Sequence, residues 1–260
     1  MPHPAEKDNP IAMVDRIAAI INCVAEQSSA ISMSEVARRT GLPKSTTSRI
    51  VHSLLPHGLL EIVDDELVLG LRFFELGELA SRPRTLRRLT YAHMEGLRRV
   101  TGNSVHLAVL DGRHVVYIEI LRSRATPALP SRVGGRVPAH ATAVGKALLA
   151  FSPPEVTERI IEGGLEAIGP RTITDPDRLR AALWRIRASG IATEQEESGR
   201  DSACVAAPIL VGESHEPIAA ISVSGVAAEM DIAGCERAVR SAVDALREQA
   251  ALLPRRGRTM

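Results

Sequence analysis

The pattern of apolar and polar residues between positions 11 and 24 predicts an amphipathic helix. Apolar residues recur there every three or four positions, which places them on one side of a helix and leaves Asp15, Arg16 and Asn22 off it. This apolar side must pack against whatever follows. The positions predicted to be buried are Ile11, Val14, Ile17, Ala18, Ile21 and Val24.

Two shorter helices joined by a glycine-containing turn are predicted next. Ser32 and Glu35 have the spacing of a capping box, which opens a helix, and Gly41 suits its end. Pro43 suits the start of the second helix. Two short helices about such a turn form a helix-turn-helix. The second helix is predicted to bury Thr47, Ile50, Val51 and Leu54, and to expose Ser45, Ser48, Arg49 and His52.

A wing is predicted directly after these helices. Pro56 should end the second helix at about Leu55, because proline has no N–H to continue the hydrogen-bond ladder. Residues 59–70 then have the pattern of two short strands around Asp64 and Asp65. The first seventy residues therefore predict a winged helix-turn-helix.

The following stretch is predicted as a helical linker into a second domain. Residues 71–80 and 84–100 have helical patterns, and Pro83 is expected to interrupt them. Several apolar side chains here have no obvious packing partner within a small winged domain, so we expect them to contact a second copy of the chain. These residues are Leu71, Phe74, Leu76, Leu79 and Leu86.

Strands predominate after Asn103. Alternating residues over 105–110 and 115–120 flank Asp111 and Gly112, a typical hairpin signal. The interleaving of strands with helices predicts an antiparallel sheet with helices packed on it, in an α+β domain. Further strands are predicted over 204–210 and 218–225, and helices over 141–150, 154–162, 175–189 and about 231–252.

Composition narrows the class of protein. The 260 residues, 45% hydrophobic and 24% charged, favour a globular protein of two domains, and 2% aromatic residues are too few for stacking single-stranded bases. Three cysteines without close spacing and eight scattered histidines indicate neither disulfides nor a metal site, and no cofactor is predicted. Without a recognisable signal sequence or apolar span, we expect a cytoplasmic protein with no membrane partner.

The distribution of charge points to DNA, although the formal net charge is only +1. Residues 1–70 contain six Lys or Arg against nine Asp or Glu, but residues 36–60 contain basic residues and no carboxylate. A helix-turn-helix meets the duplex with this part, and hydroxyls near the start of the second helix can donate to phosphates or base edges. The predicted DNA-contacting residues are Arg38, Lys44, Ser45, Thr46, Ser48, Arg49 and His52.

Other interpretations stay open at this point. The two short helices can be a mere corner, which would make the chain a ligand-free structural or protein-binding module. A cysteine hydrolase would pair Cys204 with His140 or His106 and keep His215 as a spare base, although a cysteine in an apolar strand is more often a core residue. A P-loop is rejected because positions 140 and 147 are His and Ala instead of Gly and Ser or Thr.

Several segments resemble the IclR family of bacterial transcriptional regulators. The helix-turn-helix of that family is similar to residues 32–61, SMSEVARRTGLPKSTTSRIVHSLLPHGLLE. Its later segments resemble, in the same order, GGRVPAHATAVGKALLAF, DRLRAALWRIRASGIATEQEE and the strands CVAAPIL and IAAISVSG. The resemblance spans roughly residues 10–250. Two features depart from the family pattern: Pro56 shortens the recognition helix, and the wing has four carboxylates and no Lys or Arg.

This resemblance implies an α+β protein with an N-terminal winged helix-turn-helix, a linker helix that dimerises and a C-terminal GAF-like effector-binding domain. It implies a homodimer or dimer of dimers that binds a double-stranded DNA operator. Repressors, activators and regulators of mixed behaviour all occur in the family, and we expect a repressor here. No catalytic motif is recognised in the chain, so we do not expect an enzyme. The expected bounds are 8–70 for the DNA-binding domain, 71–100 for the linker, 101–252 for the effector domain and 253–260 for a disordered basic tail.

The resemblance also implies an effector pocket between residues 137–145 and several strand residues. Ser222 and Ser224 alternate with apolar residues, so both hydroxyls lie on one face of a strand, where a ligand or the backbone could bind them. A helix beginning near Ala141 would offer free amides to a carboxylate, which predicts a small organic acid, aromatic acids included. An ionised Glu194 would repel such an acid unless it met a hydroxyl, an amino group or a neutralising neighbour. The predicted effector-binding residues are Leu129, Val137, Ala143, Val144, Glu194, Cys204, Ser222 and Ser224.

Overall fold

A computed structural model of the protein describes residues 10–27, 29–123, 131–211 and 216–250. The chain divides into two compact units, with the boundary between Ser81 and Arg82. The predicted linker of residues 71–100 is therefore shared between the two units. The predicted effector residue Leu129, the spare base His215 and the predicted basic tail over 253–260 lie outside the described residues.

The first unit is a winged helix-turn-helix, as the sequence predicts. Its two strands pair antiparallel, with Leu60 opposite Leu69 and Val63 opposite Glu66, and Ile31 adds an isolated bridge to Leu67. The elements in chain order are α1 (Pro10–Ala25), α2 (Met33–Thr40), α3 (Lys44–Leu54), β1 (Leu60–Val63), β2 (Glu66–Leu69) and α4 (Arg72–Leu79).

Local sequence signals account for the bounds of α2 and α3. Ser32 Oγ accepts a hydrogen bond from the Glu35 amide, and Gly41 ends α2 with φ = 70°, a conformation that glycine adopts without strain. Pro43 precedes α3, and the helix ends before Pro56 in a 3₁₀ turn. The predicted buried positions are confirmed: Thr47, Ile50, Val51 and Leu54 all lie in the interior.

The predicted buried face of α1 is wrong at two positions. Val14 is 65% exposed and Ala18 is also exposed, whereas Ile20, Cys23 and Val24 are buried. The apolar side of this helix is wider than the surface that α2, α3 and β2 cover, so only the part facing those elements is buried. Periodicity predicts the helix but not which edge of its apolar side meets a partner.

Pro83 does not interrupt the second linker helix, contrary to the prediction. Helix α5 (Ser81–Thr101) begins before it, and the break lies at Ala80, which has an extended conformation. Proline is tolerated in a first helical turn because its missing N–H would have no intrahelical acceptor there. Leu86 is also not a free contact residue: it is 3% exposed and packs in the core of the second unit beside Met94.

The second unit is built on one antiparallel sheet of six strands, in the order β5-β4-β3-β8-β7-β6. A tight hairpin joins β3 to β4, with Asp111 opposite His114 and Gly112 at φ = 60°. The strands are β3 (Ser104–Asp111), β4 (His114–Leu121), β5 (Arg136–Pro138), β6 (Ala192–Gln195), β7 (Ser202–Val211) and β8 (Glu216–Val226). The helices after α5 are α6 (Ala143–Phe151), α7 (Pro154–Glu162), α8 (Pro176–Ser189) and α9 (Ile232–Ala250).

Helices cover both faces of this sheet and so create two cores. Val105, Leu107 and Val223 point to the face covered by α5 and α9. Ala108, Ala206 and Ala220 alternate with them and point to α6 and α8, where their small side chains let α6 approach closely. None of the helices within the described ranges combines the length and apolar character needed to cross a membrane.

Candidate functional sites

The outward surface of α3 carries most of the predicted DNA-contacting residues. Lys44, Ser45 and Arg49 are exposed, while Thr46 and Ser48 are half-buried. The Lys44 and Arg49 side chains have no hydrogen bond or ion pair with any described residue. Two cations at the beginning and middle of one exposed helix are therefore free to bind an anionic partner.

His52 lies on the same surface but is tied to its own helix. Its Nδ1 is 2.7 Å from the Ser48 carbonyl oxygen. Because a carbonyl only accepts, Nδ1 carries the proton in this contact and donates it. The ring is thereby held in one orientation, and Nε2 is the nitrogen left to accept a hydrogen bond from a ligand.

The two arginines of α2 are paired within the protein. Glu35 receives a bidentate contact from Arg38, at 2.8 and 2.6 Å, and a further bond of 2.6 Å from Arg39 Nε. These arginines lower the pKa of Glu35 to about 2. Glu35 lies directly before residues 36–60, which contain basic residues and no carboxylate. Its negative charge therefore offsets part of the positive charge expected there.

The wing presents carboxylates to solvent and uses one of them structurally. Glu61 Oε1 accepts a hydrogen bond of 2.9 Å from the Leu71 amide, which ties β1 to the start of α4. Asp64 and Asp65 form the turn, with φ values of 51° and 62°. Aspartate tolerates this left-handed conformation better than most residues, which explains the tight hairpin. The same two side chains leave the wing acidic.

A row of polar side chains crosses four strands of the second unit on the face that carries α6. Glu194 on β6 pairs with Cys204 on β7, Cys204 with Ser224 on β8, and Ser224 with Ser104 on β3. In the adjacent row Ser222 pairs with His106. The register thus brings together four of the predicted effector residues, which are distant in sequence, and all are buried.

The Ser224 hydroxyl of this row binds other side chains, whereas Ser104 Oγ accepts from the Ser123 amide at 3.0 Å. Ser224 Oγ lies 3.1 Å from Cys204 Sγ and 3.3 Å from His106 Nδ1, and His106 Nε2 lies 3.1 Å from Ser131 Oγ. One assignment of protons satisfies all three contacts: Ser131 donates to Nε2, Nδ1–H donates to Ser224, and Ser224 donates to the thiol. We call Glu194, Cys204, Ser222, Ser224 and His106 the buried polar cluster.

Burial sets the protonation of this cluster. It lowers the pKa of His106 to about 4, with help from the Arg122 charge, so the imidazole is neutral near pH 7. It raises the pKa of Cys204 to about 12, and neither His106 nor His140 bonds to that thiol among the described residues. A protonated thiol without a base is a poor nucleophile, which argues against the hydrolase interpretation.

Glu194 is held by hydrogen bonds at one end of the buried polar cluster. Its Oε2 accepts from the Glu197 amide and its Oε1 from the Ser198 hydroxyl, both at 2.9 Å. Burial raises the pKa of Glu194, and these two bonds partly oppose that effect. The neighbouring Lys146, on α6, supplies a positive charge that also favours the carboxylate.

Helix α6 starts later than the sequence predicts. A 3₁₀ turn occupies Ala139–Ala141, and α6 begins at Ala143 with Thr142 as its cap, whose Oγ1 accepts from the Gly145 amide at 3.0 Å. One of the amides expected to be free is thus satisfied, and those of Ala143 and Val144 remain without an intrahelical acceptor. Gly145 is required at this point, because a Cβ there would lie 2.0 Å from the Ala139 carbonyl oxygen.

The apolar residues predicted for the pocket lie beside this helix start. Ala143 and Val144 are buried, and Val137, on β5, is half-buried. All three contribute to the core between α6 and the sheet. They lie on the same side of the sheet as the buried polar cluster.

Several residues of the site were not predicted to lie beside the effector. His106 has the same phase along β3 as Ala108, so the alternation could have placed it on this face. Lys146 and Glu197 form a buried ion pair of 2.5 Å, but they are 51 residues apart and no local pattern connects them. Within the described ranges, no three His, Cys, Asp or Glu side chains meet in a way that could hold a metal ion.

Comparison with known proteins gives a consistent result for both units. The family model described as the IclR helix-turn-helix domain matches residues 13–63, and that of the bacterial transcriptional regulator IclR C-terminal domain matches residues 80–252. The HTH-type transcriptional regulator XynR of Escherichia coli K12 is 31% identical over 224 residues, covering 85% of this chain and 88% of that protein. The transcriptional repressor IclR of the same organism is 30% identical over 211 residues, covering 79% of this chain and 77% of that protein.

A solved structure matches nearly the whole chain. The crystal structure of an IclR homologue from Microbacterium hydrocarbonoxydans, complexed with 4-hydroxybenzoate, has a TM-score of 0.83 and 29% identity, and the match covers 92% of this chain and 98% of that one. The order and pairing of elements described above are therefore those of a known fold.

Proposed function

The chain belongs to the IclR family of bacterial transcriptional regulators, and we propose that it is a repressor whose binding to a double-stranded DNA operator is controlled by a small organic acid. DNA binding and transcription regulation follow from the family. The observation that carries the proposal is the pair of unpaired cations on α3, Lys44 and Arg49. A relative that is named a transcriptional repressor favours repression over activation.

In this proposal α3 reads the operator in the major groove. Arg49 contacts a base edge or a phosphate, Lys44 and Ser45 contact phosphates at the helix start, and Thr46, Ser48 and the fixed ring of His52 assist. Arg38 is held by Glu35 and acts at the edge of the interface. The acidic wing does not hold phosphate, because its exposed side chains carry the same sign of charge as the DNA.

The effector binds between the start of α6 and the buried polar cluster. A carboxylate is stabilised by the amides of Ala143 and Val144 at the positive end of the helix dipole. The apolar part of the ligand contacts Val137, Ala143 and Val144, with Leu129 as a further predicted contact. A complex of a related protein with 4-hydroxybenzoate supports an acid of this size.

Within the buried polar cluster, the ligand hydrogen-bonds to groups that now bind one another. Ser222, Ser224 and Cys204 can exchange their mutual contacts for a ligand hydroxyl at little cost, since each loses one bond and gains another. Glu194 faces a hydroxyl or amino donor on the ligand, because both of its oxygens act as acceptors and each has a further lone pair.

Two copies of the chain are needed to contact a two-fold operator. Helix α4 and the residue before it expose Leu71, Phe74, Leu76 and Leu79, which are between 45% and 75% exposed in the single chain. Contact between two such surfaces would bury them, as the linker prediction requires. Effector binding then changes operator affinity by favouring one relative placement of the two helix-turn-helix units.

The test is retardation of the chain's own upstream DNA by the purified protein, with and without small carboxylic acids. Retardation that an acid weakens is the expected result. The Ser222→Ala, Ser224→Ala double variant should still bind the DNA but lose the response to the acid. Absence of retardation at low salt would instead favour the structural or protein-binding module, and an equal response of both proteins would move the effector site elsewhere.

A further inference from the structure

A cavity of about 380 Å³ lies at the far end of the sheet from the buried polar cluster. It is bounded by the tip of the β3–β4 hairpin, the turn before α6 and the loop after α7, with Arg113, His140 and Leu165 in its wall. His106 and Asp111, at the hairpin end, are five residues apart on β3, a distance of about 17 Å along an extended strand. Pro138 and His140 of its wall belong to the segment 137–145 beside which the effector is expected, but none of the residues proposed to contact the effector lines the cavity.

The cavity contains a guanidinium that is fixed in position but not neutralised. Arg113 Nη2 donates to the carbonyl oxygens of Gly163 and Gly164, at 2.5 and 2.6 Å. No described carboxylate lies within ion-pair distance of it, whereas its neighbour Arg136 is paired with Asp111 at 2.7 Å. The N–H groups of Nε and Nη1 therefore remain available to an anion without any need to order the side chain.

The cavity wall also contains a histidine nitrogen that accepts from no described donor. His140 is 2% exposed, and its Nε2 lies 2.9 Å from the Glu166 carbonyl oxygen, so Nε2 carries the proton. Burial, helped by the Arg113 charge, lowers the pKa of His140, which keeps the ring neutral near pH 7. Nδ1 then has a lone pair, and it has no hydrogen-bond partner among the described residues. Among the described side-chain atoms only Glu197 Oε2 is both buried and without a partner, so His140 Nδ1 is accessible to a donor that enters the cavity.

The remaining wall of the cavity has an apolar part beside His114 and Glu166. Pro138, Ile160 and Leu165 supply this part. Glu166 also lines the cavity, but it is exposed, so water screens the repulsion of an anion by its carboxylate. The volume is that of a small ligand site and would accommodate an organic acid with a few carbons or a single ring.

We propose that this cavity is a second ligand site that binds a small hydroxylated carboxylic acid. The carboxylate binds the free edge of the Arg113 guanidinium, and the hydroxyl donates to His140 Nδ1. The apolar wall contacts the carbon skeleton. A carboxylic acid without a hydroxyl binds Arg113 but offers no donor to His140 Nδ1, so the hydroxyl provides the selectivity.

The test is a ligand-observed NMR titration of the full-length protein with lactate and 4-hydroxybenzoate, and with propionate and benzoate as matched acids without the hydroxyl. Each titration is repeated in the Ser222→Ala, Ser224→Ala double variant, which isolates this cavity from the proposed effector site. We expect the hydroxy acids to bind in both proteins and more tightly than their matched acids.

Two further variants address the guanidinium. Arg113→Gln removes its charge and should weaken binding about tenfold or more. Gly163→Ala leaves the charge but displaces it, because the added Cβ would lie 2.2 Å from the Arg113 guanidinium. Since Gly163 has φ = −78°, alanine is tolerated by the backbone, and binding should weaken here as well. Arg178→Gln, at an exposed position of α8, is the matched control and should bind like the wild type.

Three results would overturn the proposal. They are the absence of hydroxy-acid binding in the serine double variant, unchanged affinity in Arg113→Gln, and equal affinity for the acids with and without a hydroxyl. The first of these results would not contradict the proposed effector site, because the wild type could still bind the acid there.

Discussion

Lys146 and Glu197 form a buried ion pair that joins the start of α6 to the loop between β6 and β7. Lys146 Nζ lies 2.5 Å from Glu197 Oε1 and 3.1 Å from the Thr193 carbonyl oxygen. Glu197 Oε2 is buried and has no partner among the described residues. The Glu197 amide in turn donates to Glu194, so this pair supports one end of the buried polar cluster.

Removing one partner of this pair should destabilise the protein strongly. Lys146→Met leaves the Glu197 carboxylate buried without a counter-charge, and we expect a loss of about 3–5 kcal/mol in the free energy of unfolding. Urea denaturation measures this loss. The double variant Lys146→Met, Glu197→Gln should recover much of it, because no uncompensated charge remains.

The exposed pair Arg180–Glu158, at 2.6 Å, is the matched control. Arg180→Met should change the urea midpoint far less, because water solvates the carboxylate that is left behind. Equal midpoint shifts for Lys146→Met and Arg180→Met would show that burial of the first pair has no energetic consequence.

Arg49 should contribute more to operator binding than Arg38. Arg49→Ala removes an unpaired cation and should cost about 1–3 kcal/mol if the side chain reads a base. Arg38→Ala should cost less, because that guanidinium already binds Glu35. Retardation assays at two salt concentrations distinguish base contacts from phosphate contacts, since loss of a phosphate contact also flattens the salt dependence.

Glu35→Gln tests whether this carboxylate keeps Arg38 and Arg39 from contacting DNA. Without the carboxylate, Arg38 and Arg39 are free to contact phosphates, so DNA affinity should rise and depend more steeply on salt. Glu61→Gln, in the wing, removes an equal charge from the same unit without freeing an arginine and serves as the control. A steeper salt dependence in both variants alike would mean that net charge, and not the release of the arginines, determines the effect.

His106 should make stability fall in mild acid. Its pKa is about 4 in the folded chain against an ordinary 6.5, so between these values the unfolded state binds a proton that the folded state does not. Stability is therefore fully present above pH 6.5, decreases by up to about 1.4 kcal/mol per pH unit below it, and levels off near pH 4.

The contribution of His106 is measured as the difference between wild type and His106→Asn in urea unfolding at pH 7, 6 and 5. Other groups titrate equally in both proteins, so the difference isolates one histidine. A difference that is constant over this range would contradict the buried, neutral imidazole.

The exposed apolar side chains of α4 should drive self-association. Replacing Phe74 and Leu79 by Glu introduces charge into the surface that we propose to be shared by two copies, and light scattering should report a smaller assembly. Val100→Glu is the control, because Val100 is 76% exposed but lies on α5 in the second unit. A wild-type protein that is already monomeric at micromolar concentration and binds its operator would refute the proposed dimer.

The sequence by itself determined several features that depend on near neighbours in the chain. Ser32, Gly41 and Pro43 mark the helix-turn-helix because caps and turns use residues within one helical turn of one another. The shared face of Ser222 and Ser224 follows equally from strand alternation. Pro83 misled the prediction only because its effect depends on whether it falls inside a helix or in its first turn.

Only the tertiary structure decided which distant residues meet. Strand register places Ser224 between Cys204 and His106, and the packing of α6 brings Lys146 to Glu197 across 51 positions. Likewise, Val14 is exposed because none of the described elements covers that edge of α1. Periodicity records the phase of a single element, whereas register and coverage depend on how separate elements pack against one another, which no local pattern encodes.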